Sequence, residues 1–288
     1  MNNLKKKTKK QNTKYGYRPS FLELIFSYLF KFLVKIFFIN GDTKVSNIFI
    51  QTLSPKTSII FKNKKLLFKT GHGRLFWRAK SFHSEEKMMV KWLETFKRDD
   101  IYLDVGANIG IYSVPAATMC DHVYACELDP LNIGTLKENI YLNRLTNKIT
   151  IIPFPAISSN KIVKIHFRDL SLGDALQSIN RKNRIKYIKT KKEHSSYHLG
   201  FSLDYIFEKF KLGMPTKVKI DVDGNEKEVF DGAKEIILNA KEIYYEDSGL
   251  KDSEMIINKI RKSNFEIINK ETPSKTNFGC NILFSKKK

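Results

Sequence analysis

Residues 101–114 read IYLDVGANIGIYSV, an apolar run interrupted by Gly106 and Gly110. The β-branched, alternating start predicts a strand over Ile101–Val105, followed by a helix near Ile111–Met119. Glycines between the two let the backbone turn tightly and approach a ligand, and the first N–H groups of the helix face the same point. The stretch Asp104-Val105-Gly106-Ala107-Asn108-Ile109-Gly110 is therefore a candidate cofactor loop. Its glycine spacing is GxxxG. A dinucleotide fingerprint needs GxGxxG, and a phosphate-cradling loop ends in Gly-Lys-Ser or Gly-Lys-Thr, so NAD and ATP are disfavoured.

Downstream of the loop the pattern repeats: strand Val123–Glu127, helix Leu131–Leu142, strand Ile149–Phe154. Glu127 ends the second strand, seventeen residues after Gly110. In a doubly wound sheet an acid at that place accepts hydrogen bonds from ribose hydroxyls, so a ribose-containing cofactor is implied. Strand Val218–Val222, helix Glu226–Leu238 and strand Glu242–Tyr245 extend the series, which predicts an α/β fold with a parallel sheet covered on both faces. The end of the chain differs. Phe265–Asn269 and Asn281–Phe284 are joined by Glu271–Phe278, too short for a crossover helix, so they are expected to pair antiparallel.

Upstream, short apolar pieces from Val45 to Phe76, among them Ser58–Phe61 and Leu66–Phe68, predict small strands. Ser84 then looks like the cap of a helix carrying Met88, Met89, Trp92, Leu93 and Phe96. Four regions result: a basic tail over 1–20, an apolar amphipathic helix over 21–40, a strand-rich extension over 41–80, and a main domain over 81–288 with a basic insertion at about 168–200.

Composition narrows the class. With 42% hydrophobic residues in 288 the chain is too apolar to be disordered throughout, and it can bury a sizeable core. Its net charge of +21 points to anionic partners, and six of the lysines lie in the first fourteen positions. Cys120, Cys126 and Cys280 are too few for a disulfide framework and lack zinc-ligand spacing, so no metal is expected and a cytoplasmic setting is.

Phe21–Ile39 holds fifteen apolar residues in nineteen, and its polar residues Glu23, Ser27, Lys31 and Lys35 recur every fourth position as one narrow stripe. Three readings stay open: a helix docked on the protein's own core or in a homodimer, a helix lying peripherally at the inner face of a membrane, and a helix that spans it.

Among acids near the expected cofactor crevice, Asp221 ends a central strand and is the first candidate for a base or for orienting a substrate hydroxyl. Glu246 ends the neighbouring strand, while Asp223 and Glu226 read as a solvated helix start. His194 and His198 fall in the basic insertion and could act near neutral pH. Seven Lys or Arg in Arg181–Lys192 suit either phosphate on an anionic acceptor or a solvated face.

The run DVGANIGIYSV from Asp104, with EEKMMVKWLETF before it and SLD (Ser202–Asp204) and KIDVDGNEKEVFDGA (from Lys219) after it, resembles the FkbM-type methyltransferases. The resemblance covers roughly Phe82–Phe284. It implies a Rossmann-like class I methyltransferase sheet of seven strands, the last antiparallel, and S-adenosylmethionine as cofactor. Carried over by position, Gly106, Asn108 and Gly110 would face the methionine half, Asp104 the amino group, and Glu127 the ribose. Acceptors of such enzymes are hydroxyl oxygens on sugars, glycans or secondary metabolites. Where the family has Asp-Val-Glu-Gly, this chain reads Asp221-Val222-Asp223-Gly224, which shortens the second acid by one methylene. After Phe154-Pro155 no acid is present to meet an adenine amino group, so the backbone from Ala156 to Ser158 is expected to serve.

Two alternatives compete with this reading. Nucleic-acid methylation is motivated by the +21 charge, but no Pro-Pro-aromatic run follows Asp221, and neither Cys120 nor Cys126 lies where a covalent cysteine would sit. A non-catalytic, membrane-attached scaffold would use Phe21–Ile39 as its working surface, yet such a domain has no need of Asp104, Glu127 and Asp221 together.

Overall fold

The computed structural model describes residues 20–37, 53–168, 170–175, 177–179, 194–249, 252–272 and 279–287. The basic tail, the run Arg181–Lys192 and the last residues of the expected N-terminal helix lie outside these.

Helix α1 spans Phe21–Phe37, and among the described residues no helix is long and apolar enough to cross a membrane. Strands β1 (Lys56–Phe61) and β2 (Lys64–Lys69) form an antiparallel hairpin in which Lys62 and Asn63 take φ of 43° and 64°. Positive φ at both loop residues is what a two-residue hairpin turn demands. Helix α2 (Gly73–Ser81) follows, where the sequence predicts a strand up to Phe76. His72 caps it, accepting from the Arg74 amide, and Leu75 and Ala79 form its buried side. Helix α3 (Lys87–Leu93) begins later than Ser84 suggests, because the Ser84 hydroxyl donates to Ser81 O instead of capping.

Next come β3 (Ile101–Val105), the single turn α4 (Ser113–Ala116), β4 (His122–Cys126), α5 (Pro130–Leu142) and β5 (Ile149–Ile152). An antiparallel pair then brackets the expected basic insertion, β6 (Lys161–Phe167) just before it and β7 (His194–Gly200) at its end. After α6 (Leu203–Lys209) and β8 (Lys217–Ile220), the single helix expected over Glu226–Leu238 is two, α7 (Glu226–Asp231) and α8 (Lys234–Asn239). At the break the chain runs against the turn after β5: a Cβ on Gly232 would lie 2.0 Å from Ile157 O. The Asp204 carboxylate accepts from the amides of Glu235 and Ile236, which gives α8 its own N-terminal partner. Strand β9 (Glu242–Asp247), helix α9 (Ser253–Lys262), and strands β10 (Phe265–Glu271) and β11 (Cys280–Lys286) complete the chain.

The main sheet has the order β10-β11-β9-β8-β3-β4-β5. β11 runs antiparallel to both its neighbours, and the pairs from β9 to β5 are all parallel. This is the doubly wound, seven-stranded sheet with its last strand reversed that the sequence predicts. The order reverses at β3, flanked by β8 and β4, and a crevice opens at the carboxyl ends of these strands. Two apolar layers cover the faces. One unites the β1–β2 hairpin, α2, α3 and α5 around Phe68, Met89, Trp92 and Leu136. The other joins α6–α9 to the sheet around Phe207, Ile236 and Phe284. Asn143 fastens the hairpin to α5, accepting from the Leu67 amide and donating to Leu67 O.

Candidate active site

A cavity of about 220 Å³ occupies that crevice. The loop after β3 brings Gly106 and Asn108 to it, the end of β4 brings Glu127, and the turn after β5 brings Phe154 and Ala156. Asp221 and Asp223 come from the turn after β8, Glu246 from β9, and Arg74, Trp77 and Arg78 from α2.

The loop is shaped by close backbone contact. Gly106 takes φ 88°, and a Cβ there would sit 1.8 Å from Asp221 O, so no other residue fits between the ends of β3 and β8. Asn108 takes φ 50°, and its side chain donates to Asp174 O at 2.7 Å. Glu127 ties the loop to β4: one carboxylate oxygen accepts the Asn108 amide at 2.7 Å, the other the amides of Leu128 and Asp129 at 2.9 and 2.8 Å. Burial pushes the Glu127 carboxyl up to about 7, against the pull of those N–H donors.

Asp104, Ala107 and Gly110 stand behind the loop and do not line the cavity. Asp104 is fully buried, accepts from Ser113 Oγ at 2.6 Å and lies 3.3 Å from Lys219 Nζ. Ala107 is in the core, and Gly110 packs against Leu136. Of the turn expected to meet adenine, the Ile157 and Ser158 amides already donate to Phe201 O and to the Glu228 carboxylate. Ala156 is the part of it on the cavity wall. His194 and His198 lie on β7, away from the cavity, and Glu226 is buried rather than solvated, accepting from the Gly224 amide and the Ser248 hydroxyl.

The acids that do line it are graded by their surroundings. Burial pushes the Asp221 carboxyl up, but Lys219, 3.0 Å away, and a hydrogen bond with Glu246 outweigh it and hold it below the ordinary range. Burial and the neighbouring Asp221 charge drive Glu246 the other way, so it keeps its proton and donates it to Asp221. Glu86 is pushed up to about 7 by burial and by Asp221, opposed by Lys219 and by a hydrogen bond from Tyr112. Asp221, Asp223 and Glu246 each offer an oxygen within 4.8 Å of the others and are the set a cation would meet. The ammonium of Lys219 already stands beside it.

The sequence profile of the FkbM methyltransferase domain matches residues 104–267, from Asp104 in β3 to Ile267 in β10. The chain belongs to the FkbM methyltransferase family. That family uses S-adenosylmethionine, and the residues present fit it. Glu127 offers carboxylate oxygens for a ribose diol, Leu128, Phe154, Ala156 and Ile179 offer apolar surface for a purine, and the acids around Asp221 suit a sulfonium and an ammonium.

Among curated relatives, the chain is 27% identical over 156 residues to the hexuronic acid methyltransferase AglP of Haloferax volcanii, covering 54% of this chain and 59% of that one. It is 28% identical over 114 residues to a tRNA (guanine(37)-N(1))-methyltransferase of Dictyostelium discoideum, covering 38% and 24%. The chain thus spans between a quarter and three-fifths of the length of these relatives. Among solved structures, a methyltransferase FkbM from Methylobacillus flagellatus superposes with TM-score 0.48 at 16% identity, over 66% of this chain and 44% of that one.

Arg74, Trp77, Arg78, Glu86 and Tyr112 are cavity residues that the sequence does not single out. The signal present was spacing: residues 74, 77, 78 and 81 recur at helical intervals, so one face of α2 carries them all.

Proposed function

We propose that this protein is an S-adenosylmethionine-dependent O-methyltransferase acting on a hydroxyl of a sugar, glycan or related small molecule. The observation that carries the reading is the convergence of Glu86, Asp221 and Glu246 in the same cavity that Gly106, Asn108 and Glu127 line. The cofactor supplies an electrophilic methyl group. The protein then has to hold an oxygen in line and accept its proton. Asp221, kept ionised by Lys219, is suited to orient an acceptor hydroxyl. Glu86, near 7, exchanges a proton at working pH and is the better proton acceptor. Tyr112, whose hydroxyl stays protonated through burial and the nearby Glu86, donates to that carboxylate and fixes its position. The sugar class is supported by the similarity to the Haloferax hexuronic acid methyltransferase.

The test is calorimetry with S-adenosylmethionine and S-adenosylhomocysteine, with NAD as control, on the native protein and on Glu127→Ala. Micromolar binding of both sulfur ligands, none of NAD, and loss on substitution are expected. A folded protein that binds neither sulfur ligand would overturn the reading. Glu86→Gln should keep cofactor binding while slowing methyl transfer by roughly 10²–10⁴-fold.

A further inference from the structure

Helix α2 gives the cavity a wall of opposite sign to its acids. Arg74 and Arg168 converge on one carboxylate, that of Asp174, at 3.0 Å from Arg74 and 2.9 Å from Arg168 Nε. Asp174 has no exposed side-chain surface. Two guanidinium groups thus share this carboxylate. Arg78, one turn further along α2, uses Nε to donate to Gly173 O at 3.1 Å. Among the described residues its two terminal nitrogens have no hydrogen-bond or ion-pair partner, although the side chain lines the cavity. An arginine so placed presents a planar fork of donors to whatever enters. Trp77, half-buried on the same helix face, adds an apolar surface beside it.

From this geometry we infer that the acceptor is an anion, a ring compound bearing a carboxylate or a phosphate, which Arg78 grips bidentately while its ring lies against Trp77. The inference rests on reading the cavity as the methyl-transfer site, and it gives that site a substrate class. It also gives the cavity a direction. The Arg78 charge reaches both Glu86 and Asp221, so an anionic group held at Arg78 places the rest of the acceptor toward those acids. A neutral sugar forgoes the charge-assisted, bidentate part of this contact. The alternative duty for this side chain, pairing with the carboxylate of the cofactor's own methionine portion, predicts a different loss on substitution.

The experiment measures binding of glucuronate, glucose 1-phosphate and glucose to the full chain saturated with S-adenosylhomocysteine, by saturation-transfer NMR and calorimetry. The expected result is that at least one charged sugar binds and glucose does not, the two charged arms separating carboxylate from phosphate. Arg78→Met should weaken the charged sugar at least tenfold while leaving S-adenosylhomocysteine affinity within threefold, and Arg78→Lys should recover part of the loss. Retained cofactor affinity also reports that the variant is folded. Charged sugars that bind no better than glucose, or equally well to Arg78→Met, would overturn the proposal. So would loss of S-adenosylhomocysteine binding in both Arg78 variants, which would give the arginine to the cofactor. A native protein that fails to bind S-adenosylhomocysteine would instead remove the methyltransferase reading.

Discussion

A lysine with 1% of its side chain exposed needs partners, and Lys219 has them in Asp104 and Asp221, 3.3 and 3.0 Å from its Nζ. Burial disfavours its charge, but these carboxylates and Glu86 more than compensate and hold it protonated. Removing one member of such a buried group leaves uncompensated charge, which costs about 3–5 kcal/mol. Lys219→Met is therefore expected to destabilise the fold by that amount at pH 7, read by urea unfolding. The sign with pH is fixed by Asp221. Its carboxyl is held below the ordinary range in the native protein, so its contribution is present above its unfolded pKa and lost as pH falls through the folded value. In the variant that contribution is gone. The gap between the two proteins should hold from pH 7 down to about 4 and narrow below that, as Asp221 takes up its proton, and a gap that does not narrow below about pH 4 would mean that Lys219 acts through packing alone. The i, i+2 spacing of Lys219 and Asp221 along one strand was legible in the sequence. The register that sets Asp104 opposite Lys219 was not, because pairing between β3 and β8 joins residues over a hundred positions apart.

At the scale of elements, strands and glycine turns were readable because period-two apolar runs and positive-φ positions leave local marks: the β3–β5 series, its loop and Glu127 all follow from them. Helix α2 was hidden for a physical reason. Its cavity face carries Arg74, Trp77, Arg78 and Ser81, and a face that meets a polar cavity has the same composition as one that meets water. The break at Gly232 was hidden too, since it depends on contact with Ile157, far away in the chain. Helix α1 presents the reverse case. Leu22, Phe26, Leu29 and Phe32 lie along one side and are 65%, 68%, 53% and 62% exposed, a continuous apolar surface that water does not favour. With six lysines among the first fourteen residues, we propose that this surface meets an anionic bilayer, which vesicle binding tests. The full chain should sediment with phosphatidylserine vesicles, and the double substitution Phe26→Asp, Leu29→Asp should lower partitioning at least tenfold. Equal partitioning of the two, or a native chain that ignores vesicles and elutes as a dimer, would assign the surface to another copy.

The whole molecule carries +21, and a charge of that size favours association with polyanions such as RNA whatever the cavity does. Retention of RNA is thus no test of acceptor class, even with tRNA methyltransferases among the relatives. What separates the readings is how the interaction responds to salt and whether it leads to chemistry. Binding driven by counterion release falls steeply, by roughly a hundredfold or more between 50 and 200 mM salt for a handful of phosphate contacts. A half-buried contact inside the cavity, such as the one proposed for Arg78, is screened by salt far less. Bulk tRNA is accordingly expected to bind at low salt, to be released by 200 mM, and to take up no label from methyl-tritiated S-adenosylmethionine, while charged-sugar binding persists across the same range. Filter retention and label transfer measured on one protein preparation decide the matter. RNA retention that barely changes with salt, together with label in the RNA, would transfer the activity to nucleic acid and leave the arginine wall of α2 as a phosphate-backbone contact.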